Sequence, residues 1–365
     1  MSKFSKILLA VSGGVDSSVS AHLLKQENHR LELIHFLIPN NYDSKNDLDY
    51  SKKNLAKVKT LAEKLNLKLH LVDIREDFKN SVIDYLIQSY QQGLTPNPCV
   101  ICNRRIKFKK LLQLADQLKI NYVATGHYAG TVELSLNNKK QFFIQKGIDQ
   151  NKDQSYFLSK LSHKTIKQLI LPLGNQTKQN VYQLAEKFKL KIKKEEESTG
   201  LCFLKEAFDQ FIQKKIKEKH GDIVDQNDNI IGRHQGLSKY TLGQRKGIEI
   251  GGGGPYFVIK KDYLKNILKV SNVGDEPRLF KDKVVVDLSY LSQNRLDFVK
   301  NYALKNLKNL SLKIRYGQKN ERLKSINFKN HYCEIKLKNK VRAITPGQIA
   351  AVYFKDIVLF AGEIL

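Results

Sequence analysis

The chain has 365 residues, enough for two or three domains at roughly 150 residues each. Hydrophobic residues make up 41% and charged residues 27%, with no Trp and 7 Pro, which excludes collagen-like, Pro-rich disordered and membrane-spanning classes. Lys and Arg number 63 against 36 Asp and Glu, and the resulting +27 makes a polyanion the natural partner.

Lys6 to Val11 is a short apolar run, followed by a glycine turn and a helical stretch from Ser17 to Lys25: strand, loop, helix. Its apolar part is too short for the core of a signal peptide, and no run approaches the ~18 apolar residues that cross a bilayer, so a protein neither exported nor membrane-embedded is expected. Leu31 to Leu37 reads as a strand. Leu55, Val58, Ala62 and Leu65 fall at helical spacing, Leu67 to Ile74 alternates, and Asn80 to Tyr90 returns to helix. This βαβα order predicts an α/β fold, a doubly wound parallel sheet with helices on both faces.

After an irregular stretch at Gly93 to Cys99, a helix is predicted from Arg104 to Leu118 and a strand from Tyr122 to Thr125. Thr177 is the expected N-cap of a helix carrying Val181, Leu184, Ala185 and Phe188 on one face. The charge run Lys191 to Glu197 predicts a boundary; beyond it come a helix, Phe208 to Lys217, and a glycine-punctuated segment, Gly232 to Gly254. The runs Val284 to Val286, Leu312 to Tyr316, Tyr332 to Leu337 and Ile349 to Phe354 read as antiparallel strands of a small closing β-barrel. The expected division is 1–205 for the nucleotide domain, 206–278 for a small central domain and 279–365 for the barrel.

Ser12-Gly13-Gly14-Val15-Asp16-Ser17 lies between the first strand and the first helix, where backbone N–H groups and the helix dipole converge on an anion. Two glycines let the backbone close around phosphate oxygens, and a carboxylate beside phosphates calls for a cation, here Mg²⁺ near Asp16. No Gly-Lys-Ser/Thr follows, so this is not a Walker A loop, and an ordinary Gly-Gly turn is the alternative. These six residues resemble the SGGxDS pyrophosphatase loop of adenylating enzymes. That resemblance implies cleavage of ATP to AMP and pyrophosphate and leaves the acceptor open.

The four cysteines, Cys99, Cys102, Cys202 and Cys333, are too few for a disulfide scaffold in a chain this long, and cytosolic thiols are expected. Cys99 and Cys102 follow two prolines and precede Arg104, Arg105, Lys107, Lys109 and Lys110, whose positive potential favours a thiolate. Their CxxC spacing equally allows a metal site or a redox pair. Cys202 lies in the small-residue turn Ser198 to Phe203, and Cys333 lies in an alternating strand and reads as core.

Over nearly its whole length the chain resembles the tRNA-specific 2-thiouridylase family, which sulfurates the wobble uridine. The resemblance is carried by Ser12 to Ser17, Thr95 to Asn103, Thr125 to Tyr128, Lys152 to Phe157, Ser198 to Phe203, Gln235 to Leu237 with Thr241 to Gly247, Arg315-Tyr316 and Pro346 to Gln348. It implies that Ala10, Val11, Ser12, Gly13, Gly14, Val15, Asp16, Ser17, Leu37 and Gly126 hold ATP. It further implies that Cys102 is the nucleophile and Cys202 the persulfide carrier, the two joining in a disulfide once sulfur has left. Asn97, Pro98 and Cys99 would contact the target base, and His127, Lys152, Asp153, Gln154, Arg315, Tyr316 and Gln348 the tRNA.

The implied partners are tRNA, with Glu, Gln and Lys acceptors expected, and a persulfide donor such as a cysteine desulfurase or a relay protein, in the cytoplasm. Where some relatives carry an aspartate this chain has Cys99, which opens an alternative: an iron–sulfur cluster on Cys99, Cys102 and Cys202. A dedicated metal site is not otherwise expected.

Overall fold

The computed structural model describes residues 5–38, 49–190, 211, 215–216, 219–248, 250–251 and 255–365. The chain divides into two compact units, one of residues 1–82, 99–205 and 356–360, the other of 83–98, 206–355 and 361–365. The expected charge-run boundary, Cys202 and most of the expected helix Phe208 to Lys217 lie outside the described residues.

In the first unit β1 (Lys6–Ala10), α1 (Val15–Gln26), β2 (Arg30–Leu37), α2 (Asp49–Leu65) and β3 (Leu69–Asp73) alternate as expected. The short α3 (Arg75–Phe78) follows, and α4 (Asp84–Gln91) belongs to the second unit. Then come α5 (Pro98–Cys102), α6 (Phe108–Gln117), β4 (Tyr122–Thr125), the hairpin β5 (Ala129–Leu136) and β6 (Lys139–Lys146), α7 (His163–Lys167), β7 (Leu169–Ile170) and α8 (Lys178–Lys187). The parallel sheet has the order β3-β2-β1-β4-β7.

Successive residues of a strand point to opposite faces, and Ile7 and Leu8 are both fully buried, so the central strand is covered on both sides. Ile7, Leu9 and Val11 pack with Ala21 and Leu24 of α1 and with Val58, Leu61 and Ala62 of α2. Val19 of α1, Tyr128, and Val181 and Ala185 of α8 form a second cluster. Asn137 and Asn138, both with positive φ, turn the β5–β6 hairpin in the two-residue manner that matches strand twist.

The second unit holds a four-stranded sheet of β8 (Gly221–Val224), β9 (Ile230–His234), β10 (Phe257–Asp262) and β11 (Ile267–Ser271) in the order β10-β11-β8-β9. Its register shifts at Ile223/Val224 and Val258/Lys260 break the period-two alternation, which is why the sequence shows little strand signal there. After it come β12 (Phe280–Asp287), α9 (Gln293–Lys305), β13 (Leu310–Lys313), β14 (Glu321–Lys329), β15 (Tyr332–Arg342) and β16 (Ile349–Phe354), with the antiparallel pairings β12-β15-β14-β13-β16.

The last strand, β17 (Ile357–Glu363), starts in the first unit, where Ile357 and Val358 pair with β6. Beyond it Ile364 bridges Val286 and the Leu365 N–H donates to the Val285 carbonyl at 3.0 Å, so the second unit's sheet returns on itself as a small barrel does. The expected strand Leu312 to Tyr316 is displaced: it runs over Leu310–Lys313, and the chain leaves it at a turn around Gly317, whose φ is +81°. The expected fold class, a doubly wound sheet followed by a small central domain and an antiparallel β domain, is the one found. Among the described residues no helix is long and apolar enough to cross a membrane.

Candidate active site

Strand β1 lies between β2 and β4, and the sheet is built outward from it in both directions. This is the topological switch point, where a crevice opens beyond the carboxyl ends of the strands. Ser12 to Ser17 follows β1 and Gly126 to Tyr128 follows β4, so both segments lie at that crevice.

Gly13 has φ +83° and turns the chain. Gly14 is the N-cap of α1 and has no side chain to bond its first amides, which suits an anion. The Ser17 hydroxyl organises the loop, accepting the Ser12 N–H at 3.2 Å and donating to the Gly14 carbonyl at 3.1 Å. Ser12 and Gly14 are exposed, whereas Val11, Val15 and Ser17 are buried, so the loop offers backbone outward and apolar side chains inward. At the end of β2, buried His35 donates from Nδ1 to the Val11 carbonyl at 2.8 Å, and burial holds its pKa below the usual imidazole value. A neutral ring thus fixes the start of the loop. Leu37 closes the same strand, its carbonyl accepting the Ile74 N–H.

Asp16, in the first turn of α1, carries the site's carboxylate. Its Oδ1 accepts the Tyr128 hydroxyl at 2.6 Å and the Lys178 ammonium at 2.7 Å. Lys178 is the first residue of α8, capped by Thr177, whose hydroxyl accepts the Asn180 N–H as expected from the sequence. The Lys178 N–H in turn donates to Asp149 at 2.9 Å, and its ammonium lies 5.0 Å from the Tyr182 ring centroid. Lys178 is a partner of Asp16 that sequence reading passed over, and Tyr128 was read only as part of the Thr125 to Tyr128 motif. The available signal was a lysine at a helix start, within reach of an acidic loop only once the helix is placed.

Gly126 allows the β4 turn to approach the loop, since a Cβ there would stand 3.0 Å from the Asp16 carbonyl carbon and the Ser17 amide nitrogen. His127 Nδ1 lies 2.8 Å from the Thr125 hydroxyl. Burial, and then the Lys107 ammonium, push His127 down to about 3, so the ring is neutral near pH 7. Its folded pKa lies below the ordinary 6.5, so the folded state binds fewer protons than the unfolded state between those values. Stability is therefore expected to fall as pH drops from 6.5 toward 3, by up to about 1.4 kcal/mol per pH unit from this group. Urea unfolding of wild type and His127→Asn at pH 7.5, 6 and 5 measures it; identical pH slopes would refute it.

Asp153 and Gln154 support this turn. The buried Asp153 carboxylate accepts the Gly147 and Ser155 N–H groups at 3.3 and 3.0 Å and the Ser155 hydroxyl at 2.9 Å. Gln154 Oε1 accepts the Tyr128 N–H at 3.0 Å, and the Gln154 N–H donates to the Tyr128 carbonyl at 2.9 Å. Lys152, partly buried, precedes them.

The cysteine segment forms α5, with Val100, Ile101 and Cys102 buried and Cys99 half-buried. A wider π-type turn, Asn103–Lys107, separates it from α6, an irregularity found often at functional sites. Asn103 Nδ2 donates to the Phe157 carbonyl at 3.0 Å and ties this segment to the one containing Asp153 and Gln154. Cys333 is fully buried on β15, and burial pushes its thiol up to about 12, which suits the core role read from the sequence. Among the described residues no group of three His, Cys, Asp or Glu is placed to hold a metal; Cys202 lies outside them.

In the second unit, Asn97 and Pro98 are half-buried, Arg315 and Tyr316 are exposed on the turn after β13, and Gln348 is half-buried in the turn before β16. The first unit thus brings Ser12 to Ser17 together with Gly126 to Tyr128, and the latter with Gln154.

A glycine–serine loop at the switch point of a parallel sheet, with an acid held by a lysine and a tyrosine, is the arrangement of a nucleotide-binding enzyme domain. The tRNA methyl transferase HUP domain profile matches residues 5–206, the tRNA methyl transferase PRC-barrel domain 209–272 and the aminomethyltransferase beta-barrel domain 289–364. The chain is 38% identical over 366 residues to the tRNA-specific 2-thiouridylase MnmA of Blochmanniella pennsylvanica, covering 98% of this chain and 96% of that one. It is 36% identical over 368 residues to the protein of the same name from Pseudoalteromonas translucida, covering 98% and 97%. The chain belongs to the tRNA-specific 2-thiouridylase family. A slighter likeness, 21% identity and a TM-score of 0.36 over 58% of this chain and 63% of the other, links it to the U34-tRNA thiolase NcsA of Methanococcus maripaludis.

Proposed function

We propose that this chain uses ATP to convert the wobble uridine of tRNA to 2-thiouridine, releasing AMP and pyrophosphate. The observation that carries the reading is an intact phosphate loop with its partnered Asp16, in a chain 38% identical over 98% of its length to a relative named as a tRNA-specific 2-thiouridylase. Within it, residues 1–205 would perform the chemistry, while 206–278 and 279–365 grip the tRNA.

The C2 carbonyl of uracil is a poor electrophile because oxide is a poor leaving group. Its oxygen attacks the α-phosphorus of ATP, the bond to pyrophosphate breaks, and the base then carries AMP as its leaving group. The amides of Ser12 to Ser17 stabilise the charge that develops on the departing pyrophosphate. Mg²⁺ held by Asp16 would supply further charge neutralisation there. Ala10, Leu37 and Gly126 would line the nucleotide's place.

The terminal sulfur of a Cys202 persulfide attacks C2 and AMP departs with the former O2. Cys102 thiolate then attacks Cys202 Sγ; the S–S bond breaks, its electrons go to the sulfur on C2, and a Cys102–Cys202 disulfide remains for a thiol reductant to open. In the variant order Cys102 first releases the sulfur as hydrosulfide. A cysteine desulfurase, directly or through a relay, reloads Cys202.

The base must leave the anticodon stack to be reached. Asn97, Pro98 and Cys99 would receive it, with Lys152 and Arg315 on phosphates, Tyr316 available for stacking and neutral His127 as a hydrogen-bonding partner. Asp153 and Gln154 contribute by holding the His127 turn.

The test is to incubate the protein with ATP, Mg²⁺, a persulfide donor and unmodified tRNA, then follow nucleotides by chromatography and 2-thiouridine by mass spectrometry. AMP, pyrophosphate and 2-thiouridine are expected only when tRNA is present; ADP as the tRNA-dependent product would refute the reading.

A further inference from the structure

We infer that the turn Pro346–Gly347–Gln348 positions the Thr95–Cys102 segment, and that Gln348 serves the reaction through Thr95 rather than by touching tRNA. The inference rests on the proposed role of Cys102 as nucleophile.

Thr95 is gripped on both sides of its main chain. Its N–H donates to the Pro346 carbonyl at 2.9 Å, and its carbonyl accepts Gln348 Nε2 at 2.9 Å, across 253 residues of sequence. Gly347 makes the approach possible: its φ is +87°, and a Cβ would lie 2.9 Å from both Leu94 Cβ and the Thr95 nitrogen. Thr95 is 7% exposed and its hydroxyl has no partner among the described residues, so the turn holds this residue by its main chain.

The turn itself is fastened to the end of the chain. The Gly347 N–H donates to the Ile364 carbonyl and the Ile364 N–H to the Gln348 carbonyl, both at 2.8 Å, while Ile364 bridges Val286. On the other side of Thr95 the chain is stiff. Pro96 and Pro98 have fixed φ and restrict the residues before them, Thr95 and Asn97, to extended backbone. A constraint at Thr95 is therefore carried with little slack to Pro98, the first residue of the helix that ends at Cys102. Losing the Gln348 bond should leave the chain folded while loosening the start of that helix.

The experiment compares wild type with Gln348→Ala and Gln348→Met, the second preserving side-chain length without a donor in case the first does not fold. Three quantities are read: alkylation of Cys102 by iodoacetamide in tRNA-free protein, resolved by peptide mass; turnover to 2-thiouridine; and tRNA Kd. Cys102 is 5% exposed, and its alkylation is expected to quicken roughly threefold to tenfold, the effect of one hydrogen bond. Turnover should fall by a similar factor with Kd within about twofold of wild type, on the same hydrogen-bond scale.

Unchanged Cys102 alkylation in both variants would overturn the inference, and a weakened Kd beside it would make Gln348 a tRNA contact instead. Should the wild-type chain form no 2-thiouridine, the proposed function fails, while the alkylation comparison still decides the clamp.

Discussion

Cys102→Ser and Cys202→Ser are each expected to abolish 2-thiouridine formation, while Cys333→Ser retains it. A serine hydroxyl neither carries a persulfide nor attacks one at neutral pH, so no slower route through the same atom survives. Cys333 differs in kind: it is fully buried, and burial pushes its thiol up to about 12, so its thiolate is scarce at neutral pH and its cost on replacement is one of packing. Adenylation precedes sulfur transfer, so both inactive variants should still release pyrophosphate once per bound tRNA, and in Cys202→Ser the AMP should stay bonded to the base. Full thiolation by Cys202→Ser with a persulfide donor would sink the two-thiol scheme.

Cys99 adds a second arm to this experiment. If Cys99, Cys102 and Cys202 hold an iron–sulfur cluster, anaerobically purified protein contains stoichiometric iron and sulfide, and Cys99→Ala loses both together with activity. The persulfide scheme predicts full activity in metal-free protein and at most a modest effect of Cys99→Ala.

Asp16→Asn is expected to lower tRNA-dependent AMP formation by about 10²–10³, the scale on which preorganised charge acts at a reacting phosphate, with tRNA affinity unchanged. Asn keeps the shape and an acceptor for the Tyr128 hydroxyl but removes the charge that faces Lys178 at 2.7 Å. Lys178→Met should reduce AMP formation about tenfold or more by the same electrostatic argument, because it leaves the loop without the ammonium that orients Asp16. The folded state should survive both. The Lys178 side chain is 11% exposed, but Asp16 is 34% exposed, so breaking the pair costs on the order of 1–3 kcal/mol rather than the full penalty of a buried ion. Wild-type rates of AMP formation in Asp16→Asn would place the nucleotide elsewhere.

The strand Leu312 to Tyr316 and the four-stranded sheet between Gly221 and Ser271 were the least legible parts of the chain. Apolar alternation through Leu310, Leu312 and Ile314 continues past the last ladder bond, because buried residues in a turn have the same spacing as buried residues in a strand. Register shifts hide the four-stranded sheet, since one extra residue reverses the face of every residue after it. Asp153 and Gln154, which the resemblance assigns to tRNA contact, hydrogen-bond to main-chain N–H groups around the His127 turn, a role the sequence did not announce because a carboxylate and an amide have the same signature whether they meet a ligand or a backbone N–H.

By itself the sequence determined the α/β class, a glycine–serine loop between the first strand and the first helix, the cysteine pair ahead of a basic segment, and the family. Each of these is a contiguous pattern: a strand, a glycine turn and a helix cap act within a few residues, and their chemistry travels with them. Only the tertiary structure decided which distant residues complete the site. Tyr128 and Lys178 reach Asp16 from 112 and 162 residues away because the sheet order puts β4 beside β1 and α8 packs against α1. His127 becomes neutral because the fold buries it near Lys107, and Gln348 meets Thr95 because the end of the chain fastens the turn before β16. Those contacts depend on strand order and on burial, which are properties of the whole folded unit that no local stretch of residues encodes.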